Sequence, residues 1–272
     1  MKSLGEACLA ALQAAEPQEK ITLTRTLFAR WQAGEQPGHG DDAVIGIPDP
    51  GRPPRPLLVH PAEVPKRRLG NKAGRVALLH AVAHIEFNAI NLALDAVYRF
   101  RGLPTGYYTD WLSVAADEAR HFVLVCERLA ELDAAYGDLP AHNGLWEMAL
   151  KTAGDPLERM ALVPRVLEAR GLDVTPGMIE RLIQVGDEAS VRVLEVILDE
   201  EVRHVAVGSR WFGYLCKQRG VDPEQTFRDL LQAYMPGHLR GPFNKPARLL
   251  AGFTQQELQG LDRLAAVQTT GG

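Results

Sequence analysis

Asp117-Glu118-Ala119-Arg120-His121 and Glu200-Glu201-Val202-Arg203-His204 share one local pattern, a glutamate three residues before a histidine. On a helix this spacing puts both side chains on one face, about 60° apart and one turn along the axis. Each pattern lies in a long amphipathic stretch with apolar neighbours. A core between helices accepts four ionisable groups only when they are paired or bind metal. The repetition therefore points to long helices packed around a polar centre.

Helical periodicity extends outward from these patterns. It predicts helices over residues 73–100, 107–136, 155–170, 176–186 and 188–219. Gly102 with Pro104, Gly137 with Pro140, and Gly171 with Thr175-Pro176 punctuate the junctions. Three helices near thirty residues, each about 45 Å long, suit an antiparallel four-helix bundle better than a globule of short helices. Ahead of them, residues 3–15 and 17–32 read as two amphipathic helices, Pro17 suiting a first helical position and Gly34 a helix end. Residues 35–69 hold eight prolines from Pro37 to Pro65, too many for a helix or a central strand, and are expected to form a long ordered loop wrapping the surface. After the bundle come a short helix at 224–234, a Pro/Gly-rich turn at 235–246, a terminal helical stretch and a frayed tail at 268–272. The expected organisation is all-α. Residues 1–70 form N-terminal helices and a proline-rich loop, 71–220 form the bundle, and 221–272 are a C-terminal helical extension.

If the bundle is two helix pairs, each Glu-x-x-His helix has a partner helix offering one more inward glutamate. Glu86 stands 32 residues before Glu118, and Glu168 stands 33 before Glu201. Glu86 and Glu168 are 82 residues apart, His121 and His204 are 83, and the near-constant offset reads as repetition of one helical hairpin. Glu86, Glu118, His121, Glu168, Glu201 and His204 then make the ligand set of a di-iron or di-manganese carboxylate centre. Oxygen donors mixed with imidazole favour iron or manganese over copper or a structural zinc. Glu200, at i, i+4 from His204, is an alternative to Glu201, but the parallel with Glu118 favours Glu201.

Composition excludes several classes. The 272 residues are 46% hydrophobic with 30 Lys+Arg against 34 Asp+Glu, a net charge of −4. That charge gives no general attraction to nucleic acid or anionic membrane. The longest uncharged apolar stretch, 76–85, is too short to span a bilayer, and the first twenty residues lack the pattern of a signal peptide, so a cytoplasmic location is expected. Cys8, Cys126 and Cys216 include no C-x-x-C, which speaks against a disulfide framework, a cysteine-built zinc site or a cysteine-ligated iron domain.

Other residues have quieter readings. His80 and His84, at i, i+4, point away from Glu86 and are expected to serve structural hydrogen bonding. Asp95, Asp117 and Asp199 can orient ligand imidazoles or stand as solvated charge. Trp111 and Trp211 fit core packing, and Tyr98 lies about 18 Å along its helix from Glu86, too far for a radical site coupled to the metals. Pro164, one turn before Glu168, removes an amide and predicts a kink or an opened turn there.

Leu79-His80-Ala81-Val82-Ala83-His84-Ile85-Glu86, Ala93-Leu94-Asp95, Asp110-Trp111-Leu112, residues 136–142 and 168–173, and Glu201-Val202-Arg203-His204-Val205-Ala206-Val207-Gly208 carry a resemblance. Over about 61–216 the chain resembles an uncharacterised bacterial family of ferritin-like proteins, a domain of unknown function. It is more distantly similar to the ferritin-like tRNA-modifying monooxygenase that hydroxylates an isopentenyl side chain. The resemblance implies a ferritin-like fold, carries the six ligands onto the positions above, and brings no substrate with it. The expected function is O2 activation by two metal ions per chain, iron first and manganese second, with O2 as co-substrate. A small-molecule or modified-nucleoside substrate would be hydroxylated or oxidised, an electron-donor reductase would be required, and a monomer or dimer is expected. Two other classes stand beside it: metal oxidation or peroxide scavenging without an organic substrate, and a helical scaffold stabilised by metal. The segment 235–250, with His238, Arg240, Asn244, Lys245 and Arg248, is locally basic and reads as a lid, a contact for an anionic substrate, or a solvated connector.

Overall fold

The computed structural model describes residues 2–65 and 68–269. Among them the chain is all-α, and the one extended pairing is an isolated parallel bridge between Leu58 and Ala141. The helices are α1 (Leu4–Gln13), α2 (Pro17–Gln32), α3 (Lys72–Arg99), α4 (Thr105–Glu131), α5 (Gly144–Lys151), α6 (Pro156–Leu162), α7 (Ala169–Gln184), α8 (Glu188–Arg219), α9 (Pro223–Tyr234), α10 (Lys245–Leu250) and α11 (Gln255–Thr269). A π turn, Val163–Glu168, joins α6 to α7.

The helices differ from the expectation in three places. The break expected at Gly171 and Pro176 does not occur: α7 runs through both, and the chain turns at Gly186, where φ is +72°. A proline inside a helix costs one amide donor and a steric clash with the preceding turn, and α7 absorbs that cost. The second difference is that α4 stops at Glu131, short of residue 136, because Asp133 takes a left-handed φ of 52°. The third is α5, which follows a Gly/Pro/Asn-rich stretch and had no strong periodic signal. Of the expected frayed tail, 268–269 close α11 and 270–272 lie outside the described residues.

Contacts divide the chain into two units, Met1–Leu150 with Val185–Val193, and Lys151–Gln184 with Leu194–Gly272. In the first, the five residues 100–104 turn α3 back along α4, and α1 and α2 pack on that pair. Asn71 caps α3 by accepting from the Gly74 amide at 2.8 Å. By length and composition α3 passes as a membrane-crossing helix, but 83% of its most apolar window is buried in the fold. Of the proline-rich segment expected at 35–69, residues 66–67 lie outside the described residues, and the rest is a loop, with one short 3-10 turn at Pro61–Glu63, docked by its own backbone. Gly38 O accepts from the Leu4 amide, the Gly51 amide donates to Leu12 O at 2.7 Å, and Pro48 O accepts from the Trp146 indole. A Cβ at Gly51 would fall 2.2 Å from Gln13 O, so only glycine lets the loop close on the end of α1.

Lys20 is fully buried in this unit. Its ammonium donates to Ala11 O and Leu12 O at 2.8 and 2.9 Å and stands 5.5 Å from the centre of the Phe87 ring. It thus serves the orphan carbonyls at the end of α1. Burial nevertheless pulls its pKa down to about 7, with the Glu19 charge acting weakly the other way. Between about pH 7 and 10.5 the unfolded chain then holds a proton that the folded chain has released, so stability rises with pH through that window. Urea denaturation at pH 7 and pH 9 is expected to show a gain of about 2 kcal/mol. Lys20→Met should abolish this gain, and an equal gain in the variant would show that the ammonium stays charged.

In the second unit Asp155 caps α6 by accepting from the Leu157 amide and receives a bidentate pair from Arg219, at 2.6 and 2.7 Å, at the end of α8. The π turn follows where Pro164 withholds its amide, as expected. Gly208 of α8 allows this turn to approach: a Cβ there would stand 2.3 Å from Pro164 Cγ.

Candidate metal centre

In the first unit Glu86 comes from the middle of α3, and Glu118 and His121 from the middle of α4. All three are buried. The side chains of Phe87 and Phe122, one residue on from Glu86 and His121, stack with Tyr136 into an aromatic cluster, ring centres 5.1–5.6 Å apart. His121 Nδ1 lies 3.2 Å from Glu86 Oε2 and 3.5 Å from Glu118 Oε2. Glu86 Oε2 is buried and faces the His121 imidazole. Burial, then the charge of Glu118, pushes the Glu86 carboxyl well above the usual range, with His121 opposing. Burial lowers the basicity of His121, but pairing with Glu118 and Glu86 outweighs it and raises its pKa to about 11. The imidazolium thus supplies the positive charge that two buried carboxylates demand.

In the second unit His204 is fully buried in α8, and its Nδ1 lies 3.3 Å from Glu201 Oε1 one turn earlier. Glu168 ends the π turn, with a buried carboxylate oxygen. Opened turns of this kind occur often at functional sites because they re-aim a side chain without breaking the helix.

Glu118, His121, Glu201 and His204 form a Glu/His group that can hold a metal ion, each offering a ligand atom within 4.8 Å of the others. The donors are carboxylate oxygens and imidazole nitrogens, a set compatible with a di-metal site. Glu86 reaches His121 but falls outside this group, as does Glu168.

His80 and His84 do serve structure. His80 Nε2 accepts from the Gly137 amide at 3.0 Å. His84 Nε2 is 3.1 Å from His142 O, an acceptor only, so Nε2 carries the proton and Nδ1 accepts from the Tyr136 hydroxyl at 3.0 Å. Burial brings the His84 pKa down to about 4 and keeps it neutral. Asp95 takes a bidentate pair from Arg99, Asp117 lies 3.8 Å from Arg120, and Asp199 is exposed. Trp111 and Trp211 are buried, and the Tyr98 hydroxyl accepts from the Ile45 amide. Sequence reasoning missed Arg165, buried in the second unit among three phenylalanines. A lone arginine two residues past a valine–proline pair carries no signal of burial.

The fold and this donor set define an all-helical protein with a Glu/His group that could hold a metal ion. The chain belongs to the family described as Protein of unknown function (DUF455), which it matches over residues 13–259. It is 47% identical over 258 residues to an "Uncharacterized protein" of Haemophilus influenzae, covering 91% of this chain and 90% of that one. No solved structure matches it.

Proposed function

We propose that this chain is a ferritin-like four-helix-bundle oxidoreductase whose di-iron, or di-manganese, carboxylate centre activates O2 to hydroxylate or oxidise an organic substrate. The observation that carries the reading is the Glu118, His121, Glu201 and His204 group. The proposed ligand set extends to Glu86 and Glu168, which stand 32 and 33 residues before Glu118 and Glu201. The carboxylates of Glu118 and Glu201, with the imidazoles of His121 and His204, would hold the cations and offset their charge. The buried surroundings of Glu86, Glu118, His121 and His204 exclude water and strengthen every charge interaction there. Two metal ions, when bound, supply the redox chemistry that the side chains cannot. Hydroxylation then balances as substrate plus O2 plus two electrons and two protons, giving alcohol and water, so an electron-donor reductase is the necessary partner. Both a small molecule and a modified nucleoside fit this chemistry. The net charge gives no support to nucleic-acid binding, and the protein works as a cytoplasmic monomer or dimer.

The test is metal analysis of protein purified from cells supplemented with iron and manganese, then anaerobic Fe(II) loading and absorption spectroscopy on exposure to O2. About two metals per chain, with an O2-dependent spectral change lost on replacing His121 and His204, is the expected result. No bound transition metal, or one zinc indifferent to those replacements, overturns the reading.

A further inference from the structure

The second unit contains a cavity of about 170 Å3 that the metal centre does not account for. Leu167, Leu239 and Phe243 supply apolar wall, and the lining holds four arginines, Arg165, Arg170, Arg240 and Arg248, against a single carboxylate, Asp173. Asp173 is already committed: Arg248 donates to both its oxygens at 2.8 and 2.9 Å, and Arg170 lies 3.6 Å away. Glu257 takes one arm of Arg165 at 2.7 Å. After these pairings the lining keeps a net positive charge of about two, before His238 at the rim is counted.

Arg165 marks the purpose of the cavity. It is 2% exposed, and its guanidinium carbon stands 4.7, 4.2 and 4.5 Å from the ring centres of Phe212, Phe227 and Phe253. Ser209 accepts from Nε and Glu257 from Nη2, yet Nη1 is buried with no hydrogen-bond partner among the described residues. A buried charged donor left unmade costs free energy that the fold would recover by pairing it. The aromatic box and Glu257 hold this guanidinium in place, so Arg165 is a fixed positive charge beside the cavity.

We infer that this cavity binds a small amphipathic organic anion, its acidic group on Arg170 and Arg240 and its apolar body against Leu167, Leu239 and Phe243. Its volume suits one six-membered ring with a short substituent, since a cavity of about 150 Å3 accepts benzene. The basic segment 235–250 then forms one wall of a binding site, with Arg240 O anchored by Arg170 at 2.8 Å. Arg165, Val166 and Leu167 line the cavity from the π turn that ends at Glu168. The inference stands on the cavity alone and does not require the metal reading.

The test is isothermal titration of the full chain with benzoate and phenyl phosphate, against benzyl alcohol as a neutral body of similar shape. At least one anion is expected to bind with a Kd of about 1 mM or tighter, and benzyl alcohol at least about tenfold more weakly. Arg170→Ala and Arg240→Glu, both outside the hydrophobic core, should each weaken the anion about tenfold and leave the thermal midpoint near wild type. Leu239→Trp, checked for folding by circular dichroism, should abolish binding by filling the space. Failure of both anions to bind overturns the inference, as does equal binding of benzyl alcohol or indifference to both arginine replacements.

Discussion

His121→Ala is expected to destabilise the metal-free protein by about 3–5 kcal/mol, the cost of removing one partner from a buried ion pair. His121 is fully buried between Glu86 and Glu118, at 3.2 and 3.5 Å. Without the imidazolium the two carboxylates keep their burial and their mutual repulsion, which the raised Glu86 pKa already registers. Urea denaturation of chelator-treated protein measures the loss. Adding Glu86→Gln should recover a large part of it, because a neutral amide no longer needs the cation, while a simple cavity from the lost ring would not respond to that second change. A loss under about 1 kcal/mol would mean that the three groups are not electrostatically coupled. In the loaded protein the same His121→Ala should lower metal content by about one ion per chain, which separates the stability effect from the proposed coordination.

The second large effect is expected at Gly208. With a built Cβ 2.3 Å from Pro164 Cγ and 2.4 Å from its Cβ, Gly208→Ala cannot be accommodated by a rotamer change, since the proline ring is rigid. Either α8 or the π turn must move, and overpacking of this kind costs about 1–3 kcal/mol. Pro164→Gly removes both offending atoms and leaves Pro164 Cα at 3.7 Å, an ordinary contact. The double variant Pro164→Gly/Gly208→Ala should therefore be more stable than the sum of the single losses predicts, by at least about 1 kcal/mol. Additivity within error would show that the two helices do not meet there. Because Glu168 ends the same turn, Gly208→Ala should also reduce iron binding.

The helical architecture was legible where periodicity was long and uninterrupted. The predicted α2 and α8 have the observed ends, and the expected opening of the helix at Pro164 is the π turn. Gly171 and Pro176 misled because their rules describe local cost, whereas α7 is held by Leu172 and Leu182, both fully buried. The pairing of Glu118 with His121 followed from spacing, because i, i+3 geometry is independent of tertiary detail, whereas Glu86 reaches His121 from another helix. The cavity was not legible. Its basic segment had been open to reading as a solvated connector, yet Arg248 is 3% exposed and clamped to Asp173, 75 residues earlier in the chain. A contact between positions that far apart leaves no period in the sequence.

The π turn also acts as a phase shifter. Inserting one extra residue into a turn rotates everything after it by about 100° around the helix axis. The apolar stripe of α7 is therefore offset from that of α6, and a single helical wheel drawn through both would misplace one of them. Deleting one residue from 163–168 would swing Leu172 and Leu182 toward water without altering either side chain. In this segment the residue count, as much as residue identity, decides which side of the helix becomes core.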